Sequence, residues 1–222
     1  MESRFYNYAD LIIDNIEGGY YSPTRHYSSA MGKSGETMFG MDRKWGGTVV
    51  NNSVPGQKFW KIIDANSSSW GYNSKGGKHE KELKKLAAEI MYISYDKYFK
   101  QYLSEKAQKL VKKSQKLEAH LFYACWNGVV RFKDFATVIN KAVESGTKKL
   151  SDLEKIAIDS RLNYNVALIR KGGEKMQNNI WPKLSSKRKI LPIILISGGI
   201  ITVGILGWFG YKKGWYKKFT NK

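Results

Sequence analysis

Glu17 is the residue with the plainest chemical use. It stands where an apparent first helix gives way to Gly18-Gly19, and residues 17–41 read EGGYYSPTRHYSSAMGKSGETMFGM. The stretch is rich in aromatic, Gly and Ser/Thr residues of the kind that form a β-hairpin. A carboxyl at such a corner can face a cleft. It does acid work near neutral pH only where an apolar or aromatic wall disfavours the charged form and raises the pKa. Tyr20, Tyr21 and Phe39 are placed to supply that wall. The competing reading of the same letters is a glycine-capped helix with a solvated Glu in its last turn, so structural context must decide.

Other chemistries find less support. Gly71 to Lys78 (GYNSKGGK) lacks the Lys-Ser/Thr ending and the preceding apolar strand of a phosphate-binding loop. His79-Glu80 is not a zinc-helix motif, because position 83 is Leu, and neither His26 nor His120 has partners at ligand spacing. No metal or other cofactor is expected. The single Cys125 cannot form an intrachain disulfide, and beside Trp126 in an apolar helix it reads as core.

The order Glu17-Gly18-Gly19-Tyr20, then about twenty residues of loop and hairpin, then Gly35-Glu36-Thr37-Met38-Phe39-Gly40-Met41 resembles the signature of the phage lysozyme-like muramidases of glycoside hydrolase family 108. In that family a Glu-Gly-Gly-Tyr precedes a Gly-x-Thr-x-Tyr-Gly-Ile segment, and here Phe39 and Met41 replace its aromatic and aliphatic members. Leu86 to Tyr98, Leu121 to Phe135 and, more weakly, Ala167 to Pro182 are similar to later family segments, so the likeness covers about residues 3–184. The resemblance implies a lysozyme-like fold and cleavage of the β-1,4 bond between N-acetylmuramic acid and N-acetylglucosamine in peptidoglycan. It implies Glu17 as the acid and Thr37 as the residue placing a water or the substrate; Glu36, by its nearness in sequence, is the candidate for a supporting carboxylate. Tyr20, Tyr21, His26, Phe39 and Asn127 are the expected substrate contacts. Between Glu17 and Gly35 there is no acid, so a second carboxylate has only Glu36 and Asp42 as nearby candidates. A lytic transglycosylase, in which the muramic acid 6-hydroxyl attacks and no second carboxylate is needed, is the sibling alternative.

The elements that must position Glu17 follow from periodicity. Phe5, Tyr8, Ala9, Ile12 and Ile16 recur at helical intervals over Ser3 to Ile16. Tyr20 to Gly47 reads as a small hairpin or meander, and residues 48–79 as a short buried element around Phe59 to Ile63 followed by a mobile loop. A stripe from Leu83 to Tyr98, a short basic helix over Ser104 to Lys113 and an apolar helix over Leu117 to Trp126 follow. After that helix, Gly128 is either a plain cap with Asn127 bonded locally, or Asn127 lines the cleft. Ser151-Asp152-Leu153-Glu154 has the form of a capping box opening a helix to about Arg170. The expected fold is α+β and mostly α: a lysozyme-like domain with a small β-hairpin over residues 1–184, plus one C-terminal transmembrane helix.

That helix is Ile190 to Gly210, 21 residues without a charge. At ~1.5 Å per residue it is roughly 31 Å long, close to a bilayer core. A basic linker (185–189) precedes it and a basic tail (211–222) follows, with Trp215 and Tyr216 among its lysines, as at a membrane boundary. Positive residues on both sides leave the orientation open. The start of the chain carries no pattern of a signal peptide, so export by that route is not expected.

Net charge is +19, which predicts attraction to a polyanion, and residues 183–222 hold nine Lys/Arg and no acid. Peptidoglycan and a lipid bilayer are the expected partners; no specific nucleic-acid contact is expected, since no binding motif accompanies the charge. The rival class is a basic membrane protein that packs nucleic acid, and a third reading is a catalytically dead lysozyme fold. The expected location is a membrane, either the internal membrane of a virion or the inner membrane of a host. The sequence assigns no oligomeric state.

Overall fold

Helix α1 (Ser3–Asn15) buries Phe5, Tyr8, Ala9, Ile12 and Ile13, which recur at three- and four-residue spacing along one stripe. The computed structural model describes residues 1–22, 27–28, 32–33, 35–44 and 46–186. After α1 come two antiparallel pairs, β1 (Tyr27–Ser28) with β2 (Gly32–Lys33) and β3 (Thr37–Met38) with β4 (Met41–Asp42). Helices follow: α2 (Gly47–Asn52), α3 (Val54–Asn66), α4 (Glu80–Tyr102), α5 (Glu105–Val111), α6 (Gln115–Ala124), α7 (Gly128–Glu144), α8 (Leu150–Leu162) and α9 (Ala167–Lys175). A π-helical turn (Met176–Ile180) and a 3-10 turn (Trp181–Lys183) close the described chain. The described residues are therefore α+β and mostly helical, as the sequence predicts at that level.

Helix α6 is the centre of the packing: Leu117 through Ala124 are all buried. Helix α1 lies against α4 and α6, α7 lies on α8, and α8 carries α9. The joint between α1, α4 and α6 is aromatic. The Phe5 ring stands 4.7 Å from Tyr92, 5.1 Å from Tyr95 and 5.3 Å from Phe122. Burying each such ring contributes roughly 1.5–3 kcal/mol, and the tilted and edge-on geometries suit the ring quadrupoles. One carboxylate is buried here, Glu118, and it is satisfied: the Arg4 fork donates at 2.6 and 3.0 Å and the Tyr8 hydroxyl at 3.0 Å. Helix α1 is thus anchored through Arg4, Phe5 and Tyr8, and its second half packs through the buried Ile12 and Ile13.

Three expectations are corrected. Residues 48–66 form two helices instead of one short element: the Ser53 hydroxyl accepts from Gly56 N at 3.1 Å, and Pro55 in the first turn starts α3 where its missing N–H costs nothing. The loop after α3 is held, because Asn73 N donates to Tyr20 O and Tyr20 N donates to Ser74 O. Ser151 lies inside α8, whose cap at Lys149 makes no side-chain bond, and the helix stops at Leu162 before α9 begins. Past Leu184, Ser185 exchanges hydrogen bonds with Gln115 and Ser186 donates to Glu154. The chain divides into units Met1–Arg188 and Lys189–Lys222. The predicted membrane span at Ile190 to Gly210 lies outside the described residues; among the described residues no helix is long and apolar enough to cross a membrane.

Candidate active site

Glu17 leaves α1 on a widened last turn, in which its N–H and that of Ile16 both donate to Ile12 O. The chain then extends between two neighbours. On one side Gly19 N donates to the Asn73 side chain at 2.6 Å; on the other Tyr21 exchanges both backbone hydrogen bonds with Thr37 on β3. The Glu-Gly-Gly-Tyr-Tyr segment is therefore an irregular stretch tied by backbone hydrogen bonds to the 71–76 loop on one side and, through the Tyr21–Thr37 bridge, to the β3–β4 hairpin on the other.

The hairpin turn closes over the acid. Phe39 and Gly40 both have positive φ, 53° and 74°, the conformation of the tight two-residue turns that match strand twist. A Cβ on Gly40 would lie 2.4 Å from Glu17 Oε2, so the carboxyl sits directly against the turn. Phe39 has no glycine's freedom and pays about 1 kcal/mol for this backbone. It is held there by a fully buried ring and by its carbonyl, which accepts from Trp126 Nε1 at 2.8 Å.

Across from the hairpin, Ile16 and Glu17 line a cavity of about 210 Å³ together with Tyr123, Trp126 and Asn127 from the end of α6. The remaining wall is one face of α9, Leu168, Lys171, Gly172 and Lys175, spaced i, i+3, i+4 and i+7. Gly172 lets that helix approach: a Cβ there would lie 2.5 Å from the Tyr123 hydroxyl. The volume is below the ~300–1,000 Å³ usual for whole small ligands, so the cavity accommodates one group of a larger substrate.

The electrostatics follow from this enclosure. Glu17 keeps a partial surface on the cleft, but protein packs its carboxyl closely enough that burial pushes the pKa up to about 7. The ammonium groups of Lys175 and Lys75 pull the other way and do not overcome the burial. Burial, and then the Glu17 charge, push the Tyr123 phenol up as well. Behind the cavity Arg161 is wholly buried, its pKa lowered by burial to about 10, so it remains a cation at neutral pH. It donates to the Asn127 side-chain oxygen at 2.8 Å and stacks over Tyr123 at 4.6 Å and Phe135 at 4.4 Å. Asn127 and Tyr123, both in contact with Arg161, stand side by side on the cavity wall. The chain Arg161, Asn127, Tyr123 sets the side of the cavity facing the acid.

No protein-family model, no curated protein and no solved structure matches this chain. What the site does must therefore be argued from its own atoms.

Of the residues singled out by sequence, Glu17 and Asn127 line the cavity. Tyr21 is adjacent: its ring stands edge-on to Tyr72 at 4.9 Å, its hydroxyl overhangs Gly18, and burial, Tyr72 and the Glu17 charge raise its pKa. The others are elsewhere. Glu36 is buried and engaged, accepting the Tyr20 hydroxyl at 2.6 Å and paired with Arg43 at 3.1 Å, so it does not serve the cavity. Thr37 is buried on β3, where its hydroxyl reaches Gly35 O and Asp42 Oδ2, both at 3.3 Å, and it is not on the cavity wall. Tyr20 and Phe39, expected to touch substrate, are core residues, because the tight turn and the Trp70 contact direct their rings inward. His26 lies outside the described residues. Among the described residues no cluster of three or more His, Cys, Asp or Glu side chains is placed to hold a metal ion.

Sequence reasoning missed Tyr123, Trp126, Arg161 and the α9 face. Tyr123, Trp126 and Asn127 share one helical face by spacing, and that was a usable signal. Arg161 gave none, since a cation in the middle of an amphipathic helix reads as solvated.

Proposed function

We propose that this protein is a membrane-anchored peptidoglycan-cleaving glycosidase of the lysozyme type, with Glu17 as the acid. The observation that carries this reading is the enclosure of that carboxyl, which stands at the end of α1 against Gly40 and on the cavity wall, where burial pushes its pKa up to about 7. A general acid works best when its pKa lies near the operating pH. In cleavage the bond between the sugar C1 and the bridging oxygen breaks, the Glu17 proton goes to the departing oxygen, and positive charge develops at C1. The resemblance of the Glu-Gly-Gly-Tyr and Gly-x-Thr segments to glycoside hydrolase family 108 supports the same assignment, as does a net charge of +19 for a polyanionic wall. The uncharged stretch 190–210 supports tethering to a bilayer, of a virion or of a host cell, for wall penetration or lysis.

One observation favours a second form of the chemistry. Two-carboxylate glycosidases hold their acids ~5–10 Å apart on either side of the bond. Among the described residues Glu17 is the one carboxylate on the cavity wall, and Glu36 is committed to Tyr20 and Arg43. With a single acid, the 6-hydroxyl of the muramic acid attacks C1 and passes its proton to the carboxylate that Glu17 has become. The product is then an anhydro sugar, and no water is added. Digestion of purified peptidoglycan followed by mass spectrometry of the fragments tests both forms. Fragments carrying one added water indicate hydrolysis, fragments without it indicate the internal attack, and intact polymer after incubation with active-concentration protein refutes the cleavage reading.

A further inference from the structure

We infer that Lys171 and Lys175 form an anion subsite inside the Glu17 cavity, which recognises a carboxylate carried by the glycan; the inference rests on the cleavage reading above and names what that site selects.

The argument begins with the α9 face. Among its four wall residues two are cations, while the helix's acid, Glu174, is exposed and not part of the cavity wall. Lys175 is half-buried, with its ammonium 3.5 Å from Ile16 O, at the residue preceding the acid. Among the described residues neither ammonium lies within 4 Å of a carboxylate, although lysines elsewhere find partners, as Lys84 does with Asp14 and Glu80 and Lys100 with Asp96. The wall's acid is Glu17 itself, and burial keeps that group largely neutral below pH 7. Lys171 is exposed at the rim and Lys175 half-buried deeper in, so the cavity carries an excess positive field that solvent screens at Lys171 and screens less at Lys175. Such a cavity favours a substrate group bearing negative charge over a neutral one of the same size.

A muramic acid residue carries a carboxyl on its lactyl ether, free or continued as a peptide with carboxylates of its own. A polymer of N-acetylglucosamine alone carries none. Seating a carboxylate between the lysines and Glu17 also cancels the attraction by which Lys175 favours the ionised form of the acid. The groups facing Glu17 are Lys175 on α9, Lys75 on the loop before α4, Tyr123 on α6 and Tyr21 on the extended segment. Of these the two lysines favour the ionised form of Glu17, so an anionic ligand seated against them moves the Glu17 proton equilibrium toward the protonated form. Recognition of the right sugar and readiness of the acid are thus linked through one pair of side chains.

The test compares native peptidoglycan with the same polymer whose carboxylates have been converted to methylamides by carbodiimide coupling. The wild type is expected to show a kcat/KM for the native polymer about three- to tenfold higher, the range for two partly exposed charge contacts. K171Q/K175Q brings that ratio to about one, while K106Q/K109Q, which removes two exposed cations from α5, leaves it in place. Retention of the ratio by K171Q/K175Q, or its equal loss in K106Q/K109Q, overturns the subsite. Calorimetric binding to the Glu17→Gln protein decides the matter independently of turnover. The disaccharide-tetrapeptide is expected to bind more tightly than its methylamide, with K171Q/K175Q abolishing the difference; equal affinities overturn the subsite. Should the wild type cleave neither polymer while this binding difference holds, the cleavage reading fails and the subsite stands.

Discussion

At the scale of the residue, Glu17 is an ordinary amino acid in an unusual place, and its consequences are measurable without any substrate. Its folded carboxyl holds a proton up to about 7, whereas an unfolded one releases it near 4.5. Folding therefore takes up a proton between those two values. Stability from this group is fully present below about 4.5, declines as pH rises through the folded pKa, and is flat above it. Glu17→Gln removes that penalty. Its stability relative to wild type should rise between pH 4.5 and 7 by on the order of 2 kcal/mol, a figure reduced to allow for the side of the carboxyl open to the cleft. Urea unfolding at a series of pH values checks this, and a difference independent of pH would show that Glu17 is solvated after all. The position was legible in the sequence because a helix stripe ending at Gly-Gly fixes where a corner falls. The partners were less so: Arg161 is buried beside Asn127 through packing that no local pattern announces.

At the scale of the element, two glycines determine how closely the walls approach the acid. Gly40→Ala places a Cβ at the Glu17 carboxyl in a backbone with φ of 74°, so both strain and clash oppose it. We expect a loss of about 1–2 kcal/mol of stability and a large fall in activity, seen in thermal melts and wall-digestion rates together. Gly172→Ala behaves differently. Alanine favours the helix by about 1 kcal/mol over glycine, which offsets the contact of its Cβ with the Tyr123 hydroxyl. The melt should move little while activity drops at least several-fold, since Tyr123 is shifted on the cavity wall. Equal activity in this variant would mean that α9 and Tyr123 do not shape the working site. The first and fourth helices were readable from their stripes. The break between α8 and α9 was not: residues 151–170 carry apolar positions throughout, and the interruption at 163–166 depends on Tyr164, whose hydroxyl is tied to Arg131 and Asp134 of α7. Thr37 lies in the hairpin that the sequence predicts, and its hydroxyl is directed to Gly35 O and Asp42 Oδ2 across that hairpin, a local contact that motif spacing does not specify.

At the scale of the whole molecule, charge and class were readable while the composition of the cleft was not, because the cleft joins the ends of α1, α6 and α9 from three distant parts of the chain. A net charge of +19 acts on any polyanion at long range and is screened by salt, with a Debye length of ~8 Å at physiological ionic strength. Sedimentation of the protein with purified peptidoglycan should weaken steadily as salt is raised. Binding indifferent to salt would place the attraction in short-range contacts instead. The account as a whole depends on one proton. The most direct measurement is the digestion rate of purified peptidoglycan near pH 6 by the wild type and by Glu17→Gln at equal folded concentration. The account predicts a loss of about 10²–10⁴-fold, the usual contribution of a positioned acid. A variant that digests the wall at the parent's rate would contradict it.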